Sequence, residues 1–202
     1  MRETAVYLGP SLDVGLARSI LDAEYLPPIR RGDLEKLAPE VRCVGIVDGE
    51  FYQNLAVSPK EILPLLDRGV QVYGASSMGA LRAAELCSHG MVGVGKIFEW
   101  YRDGVVDADD EVSLTYDPET YRSLSEPLIN IRFVLRDAVH RGIIESSLAG
   151  EVLEALKGVY FPDRSYQLVS RLCPQLGDFL NLHRRSQKAE DAELLLRTIA
   201  GS

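Results

Sequence analysis

Residues 70–86 read as a strand, a tight turn and a helix in immediate succession, and this run constrains the fold more than any other part of the chain. An apolar stretch leads into the small residues Ala75, Ser76 and Ser77, and strong helix formers follow. The two serines lie where a helix presents backbone N–H groups that have no partner within the helix. A hydroxyl at such a turn is either a helix cap or a nucleophile beside an anion site. The function of the protein depends on which role applies.

The alternation of strand and helix extends over the N-terminal half of the chain. Three strands and two helices are predicted there, at residues 4–8, 14–21, 41–48, 59–67 and 70–75. Residues 44–47 are continuously apolar, which is typical of a strand buried on both faces of a parallel sheet. We therefore predict an α/β fold with a Rossmann-like parallel sheet, in which sites lie at the carboxyl ends of the strands.

From residue 126 onward the sequence predicts almost nothing but helix. The predicted helices lie at residues 127–141, 147–159, 165–172, 177–184 and 188–199. The last has an apolar face formed by Ala192, Leu195, Leu196 and Ile199. Residues 105–116 hold an acidic cluster and one candidate strand. We predict an α/β core over residues 1–120 and an all-helical part over residues 121–202 packed on the core, with one continuous domain as the alternative.

The amino-acid composition limits which binding partners and which cellular compartment we expect for this protein. The 202 residues carry a net charge of −8, which argues against nucleic acid or an anionic membrane as the main partner. The three cysteines have no metal or redox spacing, so we expect buried, reduced thiols. Neither a signal-peptide pattern nor a membrane-spanning apolar run is visible, and we expect a cytoplasmic protein. Whether the chain forms a homodimer is left open.

The serine turn is the first candidate for chemistry. Small residues flank Ser77 on both sides in Ala75-Ser76-Ser77-Met78-Gly79, an approximation to a nucleophile elbow. We predict that Ser77 is the nucleophile and that the Met78 N–H points at an oxyanion. Ser76 is predicted to cap the helix and to border the substrate. The alternative is a structural turn in which neither serine reacts.

Lys60 is the predicted partner of Ser77. Ser58 and Glu61 match a capping box and Pro59 suits the first helical position, so Lys60 falls in the first helical turn. A positive charge is unfavourable at that end of the helix dipole, which favours a functional reason for the lysine. A partly buried, neutral Lys60 is a general base toward Ser77, and a protonated Lys60 is an anion binder. The alternative is a solvated surface side chain.

Three further patterns carry weaker predictions. Asp48 and Gly49 end a buried strand beside the serine turn, where they provide a carboxylate and a second oxyanion N–H, or form an ordinary turn. The carboxylates of residues 107–111 suit Mg²⁺ or Ca²⁺, but their spacing fits no metal loop, so no metal is predicted. Residues 9–11 suit a phosphate, although the chain has no Walker or dinucleotide fingerprint.

With these motifs, the chain resembles the TfuA-like family over most of residues 5–165. The runs that carry the resemblance are Gly9-Pro10-Ser11-Leu12, Pro27-Pro28, Arg31-Gly32-Asp33, Val47-Asp48-Gly49-Glu50-Phe51, Lys60-Glu61-Ile62-Leu63, residues 74–86, residues 90–95, Asp109-Asp110-Glu111-Val112, Ser125-Glu126-Pro127-Leu128 and Asn130-Ile131-Arg132. The serine turn is separately similar to the serine motif of Clp proteases, which places the nucleophile at Ser77.

The resemblance implies sulfur delivery. TfuA-like proteins are associated with YcaO enzymes, which use ATP to make peptide-backbone thioamides, so no cofactor is implied for this chain. The implied reaction is hydrolysis of the C-terminal thiocarboxylate of a small ThiS-like carrier protein, which releases sulfide to the YcaO partner. Relatives carry histidines where this chain has Pro59 and Tyr116, and their absence favours Lys60 as the base.

The predicted mechanism is acyl transfer, in which Ser77 attacks the thiocarboxylate carbonyl. Arg82 or Arg132 is expected to hold the anionic thiocarboxylate. In a variant of this mechanism, Asp48 or Glu85 activates water directly. The alternative function is a non-catalytic adaptor that docks on and activates a YcaO enzyme or presents the carrier to it.

Overall fold

The computed structural model describes residues 3–52 and 54–202. The strands are β1 (Thr4–Tyr7), β2 (Glu24–Leu26), β3 (Cys43–Ile46), β4 (Gln71–Ala75) and β5 (Val92–Val94). The helices are α1 (Val14–Ile20), α2 (Pro59–Asp67), α3 (Met78–Leu86), α4 (Lys96–Arg102), α5 (Leu128–His140), α6 (Ser146–Lys157), α7 (Tyr166–Leu172), α8 (Gly177–Leu182) and α9 (Gln187–Ala200). None of the helices in these residues is both long and apolar enough to cross a membrane.

All five strands lie parallel in one sheet, in the order β2-β1-β3-β4-β5. The predicted α/β class is therefore confirmed, and the three predicted strands are β1, β3 and β4. The edge strands β2 and β5 were not predicted, because three residues are too few to show a period. In this doubly wound order the connections reverse direction between β1 and β3, and the carboxyl ends of strands at such a reversal are where ligands bind in folds of this kind.

Two compact units make up the chain: Met1–Asp109 together with Lys188–Ser202, and Asp110–Gln187. The N-terminal segment of the first unit ends at Asp109, before the boundary predicted at residue 120. The first unit also includes nearly all of α9. The reason is the apolar face of α9, whose residues Leu195 and Ile199 pack into the same core as Val6 of β1 and Val47 after β3. The C-terminal helix is therefore part of the α/β unit.

The start of α3 packs directly against the sheet. Gly79 has no side chain, and a Cβ atom there would overlap the carbonyl oxygen of Ile46 in β3. A Cβ on Gly74 in β4 would in turn overlap the carbonyl oxygen of Gly79. The N–H of Gly79 donates to the carbonyl of Val47 at 3.2 Å. These contacts fix the height of the serine turn above the ends of β3 and β4.

The second unit is helical. Its core is formed by α5–α8, with Leu128, Leu135, Leu156 and Leu176 among the buried side chains. The candidate strand at 105–116 is wrong, because residues 109–111 form a 3-10 turn and the bridge between Tyr116 and Ser123 is isolated and belongs to no strand.

Two residues of the acidic cluster at 107–111, Asp110 and Glu111, form ion pairs with arginines. Arg164 is 1% exposed; it donates to the Asp110 carboxylate and to three backbone carbonyls. Glu111 accepts two hydrogen bonds from Arg132, at 2.6 and 2.7 Å. In residues 3–52 and 54–202, no three His, Cys, Asp or Glu side chains are arranged to hold a metal ion.

The three cysteines are free, and they differ in burial. Cys43 and Cys173 are buried as expected, whereas the expectation is wrong for Cys87, which is exposed. Burial raises the pKa of the Cys43 thiol to about 11, although a hydrogen bond with Thr4 acts in the opposite direction. At about pH 8 only about one thousandth of such a thiol is thiolate.

A thiol reagent is therefore expected to modify one cysteine, Cys87, quickly in the native protein, and all three only after denaturation. Peptide mass mapping after brief treatment at about pH 8 measures this. Rapid modification of Cys43 in the folded protein would contradict its burial.

Candidate functional site

Ser77 contacts a lysine from the other end of the chain. The Nζ atom of Lys188, in the first turn of α9, donates to the Oγ atom of Ser77 at 3.1 Å. Both residues are only 2% exposed. Ser77 occupies the N-cap position of α3, but its side chain accepts no N–H from that helix. The Ser77 hydroxyl is therefore oriented toward Lys188 rather than toward the helix.

Asp48 adds a carboxylate to this pair. It follows β3 directly, is 2% exposed, and places its Oδ1 atom 3.9 Å from the Nζ atom of Lys188. The ends of β3 and β4 and the start of α9 thus bring a carboxylate, an amine and a hydroxyl together. This order matches the general pattern of a nucleophile, a base and a group that orients the base.

The loop after β1 holds the carboxylate of Asp48. The N–H groups of Gly9 and Ser11 donate to Oδ2 at 2.9 and 3.0 Å, and the Ser11 hydroxyl donates to Oδ1 at 2.6 Å. The phosphate site considered at residues 9–11 is therefore wrong, because an internal carboxylate already occupies these N–H groups.

Ser76 does not cap the helix, so this part of the sequence prediction is wrong. Its hydroxyl donates to the Oγ atom of Ser11 at 2.9 Å. Its φ angle is +67°, and the N–H of Ser77 donates across it to the carbonyl of Ala75 at 2.8 Å. This is a three-residue turn in the left-handed region, which costs about 1–3 kcal/mol for a residue other than glycine. The strained turn points the side chains of Ser76 and Ser77 to different partners.

Two backbone N–H groups beside Ser77 are candidate oxyanion donors. In the described part of the chain, neither Gly49 nor Met78 donates its N–H to a protein acceptor. The two residues are neighbours, because a Cβ atom on Gly49 would lie 2.8 Å from the Cγ atom of Met78. Met78 is the first residue of α3, where the helix dipole favours negative charge. These positions match the sequence prediction, and their catalytic role stays a prediction.

Lys60 lies on α2 with an exposed side chain. The capping box around it is present: Glu61 accepts from the Ser58 N–H at 2.8 Å and also from the Gly32 N–H at 2.6 Å. Burial acts to raise the pKa of Glu61, but these hydrogen bonds outweigh it and lower the pKa below its ordinary value. Across residues 3–52 and 54–202, the lysine that contacts Ser77 is Lys188 and not Lys60.

The two arginines predicted to hold the substrate are engaged in ion pairs. Arg82 donates to the Val57 carbonyl at 2.7 Å and to both carboxylate oxygens of Glu85, at 2.8 and 2.9 Å. Arg132 belongs to the second unit and pairs with Glu111. Glu85, named as a base for water, is the partner of Arg82. Substrate binding by either arginine would have to compete with these carboxylates.

Lys188 and Ser11 are the site residues that the sequence prediction missed. A signal for Lys188 exists, because it precedes Ala192, Leu195 and Ile199 by 4, 7 and 11 positions and shares their helix face. A lysine on the buried apolar face of a helix needs a polar or charged partner that is also buried. The sequence signal for Ser11 is weaker. Ser11 follows Gly9 and Pro10 at the end of a strand, and Gly, Pro and Ser are common in ordinary turns.

A family model described as TfuA-like protein matches residues 48–165, more than half of the chain. The matched region includes Asp48, Ser76 and Ser77, whereas Ser11 and Lys188 lie outside it. No curated protein matches the chain.

Proposed function

Because the chain belongs to the TfuA-like family, we propose that it hydrolyses the C-terminal thiocarboxylate of a small ThiS-like sulfur carrier and delivers sulfide to a YcaO enzyme. Membership of the family fits an accessory role related to thioamidation. The observation that carries the hydrolytic step is the buried contact between Ser77 and Lys188, at 3.1 Å. This separation is within the hydrogen-bonding reach that a nucleophilic hydroxyl and its general base require.

In the first step, the Oγ atom of Ser77 forms a bond to the thiocarboxylate carbon, and neutral Lys188 accepts the hydroxyl proton. The carbon–sulfur bond then breaks, and sulfide leaves with the proton that Lys188 returns to it. The product is an ester between Ser77 and the C-terminus of the carrier. Asp48, 3.9 Å away, stabilises the ammonium form of Lys188 while that lysine holds the proton.

In the second step, water attacks the ester carbon and gives its proton to Lys188. The bond to the Oγ atom of Ser77 breaks, and Lys188 returns the proton to Ser77. The carrier leaves with a C-terminal carboxylate. Overall, one water and one thiocarboxylate give one carboxylate, one hydrosulfide and one proton, so this chain needs no cofactor, and ATP is consumed by the YcaO partner.

Negative charge develops on the carbonyl oxygen of the carrier in both steps. The N–H groups of Gly49 and Met78 are the donors proposed to bind it, since neither has a protein acceptor in the described residues. Donors of this kind are worth about 3–4 kcal/mol of transition-state stabilisation each in enzymes where they have been removed.

The test is to incubate the protein with a thiocarboxylated carrier and to measure both sulfide and the mass of the carrier. We expect catalytic sulfide release matched by conversion of the carrier thiocarboxylate to the carboxylate. A carrier that keeps its sulfur would contradict the hydrolase. A second assay supplies free sulfide to the YcaO reaction: if the protein is then dispensable, it delivers sulfide, and if it stays necessary, it is the adaptor considered as the alternative.

A further inference from the structure

The hydroxyl of Ser11 links the strained serine turn to Asp48. It accepts a hydrogen bond from the Ser76 hydroxyl at 2.9 Å and donates to the Oδ1 atom of Asp48 at 2.6 Å. Ser11 is 5% exposed and Ser76 is fully buried, so water does not compete for these bonds. The chain of hydroxyls ends on the carboxylate oxygen that faces Lys188.

We propose that Ser11 is a positioning residue, which acts on the Ser77–Lys188 pair by holding the Oδ1 atom of Asp48 toward Lys188. The inference rests on one part of the proposed function, that Ser77 is the nucleophile. Ser11 touches neither Ser77 nor Lys188 in the contacts described above, so its effect passes through Asp48.

The physical reason lies in the division of hydrogen bonds on the carboxylate. Two backbone N–H groups hold Oδ2, whereas Oδ1 accepts from the Ser11 hydroxyl and lies 3.9 Å from the Nζ atom of Lys188. Removal of the hydroxyl leaves Oδ2 anchored and frees Oδ1 to move about that anchor. The distance from Oδ1 to the Nζ atom of Lys188 is already long, at 3.9 Å. A small movement of Oδ1 therefore changes the electrostatic potential at Nζ, and with it the position of the amine.

The experiment is a double-mutant cycle of Ser11→Ala and Asp48→Asn. The readout is the rate at which a small fluorophosphonate labels Ser77: the Ser77 oxygen bonds to phosphorus, fluoride leaves, and the serine proton passes to Lys188. Ser11→Ala is expected to slow labelling by about tenfold to a hundredfold in the wild-type background. In the Asp48→Asn background it is expected to change the rate by less than about threefold, because the residue it acts on is already altered.

The matched control is Ser19→Ala, which removes an exposed hydroxyl that donates to the Leu16 carbonyl in α1. It is expected to leave the rate unchanged in both backgrounds. Equal slowing by Ser11→Ala in both backgrounds would overturn the inference, and so would labelling by Ser11→Ala within about threefold of wild type. If Ser11→Ala does not fold, Ser11→Cys replaces it in the cycle with the same expected coupling, because a thiol is a weaker donor of similar shape.

The probe contains no carrier, so the inference and the proposed substrate fail separately. A protein that is labelled at Ser77 but releases no sulfide would contradict the proposed substrate while the cycle still tests Ser11. A protein that releases sulfide but shows additive effects in the cycle would contradict only the role of Ser11. Thermal melts followed by circular dichroism exclude unfolding as the cause of slow labelling.

Discussion

Replacement of Lys188 by Met is expected to lower sulfide release by about a thousandfold while the protein stays folded. Met is unbranched and apolar and only one heavy atom shorter than lysine, but it accepts no proton. The variant removes the Nζ atom that lies 3.9 Å from the Asp48 carboxylate, yet the hydrogen bonds from Gly9 and Ser11 to that carboxylate remain. The hydroxyl of Ser77 is then unactivated, and catalysis is lost with little loss of structure.

The rate of steady-state sulfide release is measured for Lys188→Met, for Ser77→Ala and for the variant that carries both substitutions. Because a nucleophile and its base act as a unit, the double variant is expected to be about as slow as each single one. The control is Lys157→Met, which removes an exposed lysine paired with Glu154. If Lys60→Met is inactive and Lys188→Met is active, the sequence-based choice of Lys60 is correct, and the contact at Lys188 is structural.

Replacement of Gly79 by Ala is expected to destabilise the first unit by about 3 kcal/mol or more. The new Cβ atom would overlap the carbonyl oxygen of Ile46, which belongs to the β3 backbone and cannot rotate away. Relief requires α3 to move off the sheet, and the serine turn would move with it. Loss of activity is therefore expected to accompany the loss of stability.

The matched control is Gly150→Ala in α6, where a Cβ atom meets nothing within 4 Å. That change is expected to stabilise the protein by about 0.5–1 kcal/mol, because Ala loses less backbone entropy in a helix than Gly does. Urea unfolding followed by the fluorescence of Trp100, the one tryptophan of the chain, measures Gly79→Ala in the first unit. Circular dichroism measures Gly150→Ala. An unchanged urea midpoint for Gly79→Ala would contradict the close approach of α3 to β3.

The sequence predicts correctly those helices and strands whose apolar periodicity and end signals lie within one short stretch of the chain. The helices predicted at 14–21 and 59–67 and the strands β1, β3 and β4 follow from apolar periods and end signals that lie within a few residues of each other. The edge strands β2 and β5 were missed because each has three residues and depends on its neighbour in the sheet. The cap assignment failed at Ser76 because the turn takes a left-handed φ that a serine rarely adopts.

By itself the sequence determined that a strand, a serine turn and a helix meet at one edge of a parallel sheet, together with Asp48 and Gly49. These features depend on short-range backbone preferences, which are written in adjacent residues. Which lysine meets Ser77 was decided only by the tertiary structure, because Lys188 is 111 positions away and arrives through the packing of α9 on the sheet. A contact over that separation is set by the burial of a whole helix face, and no local pattern around Ser77 encodes it.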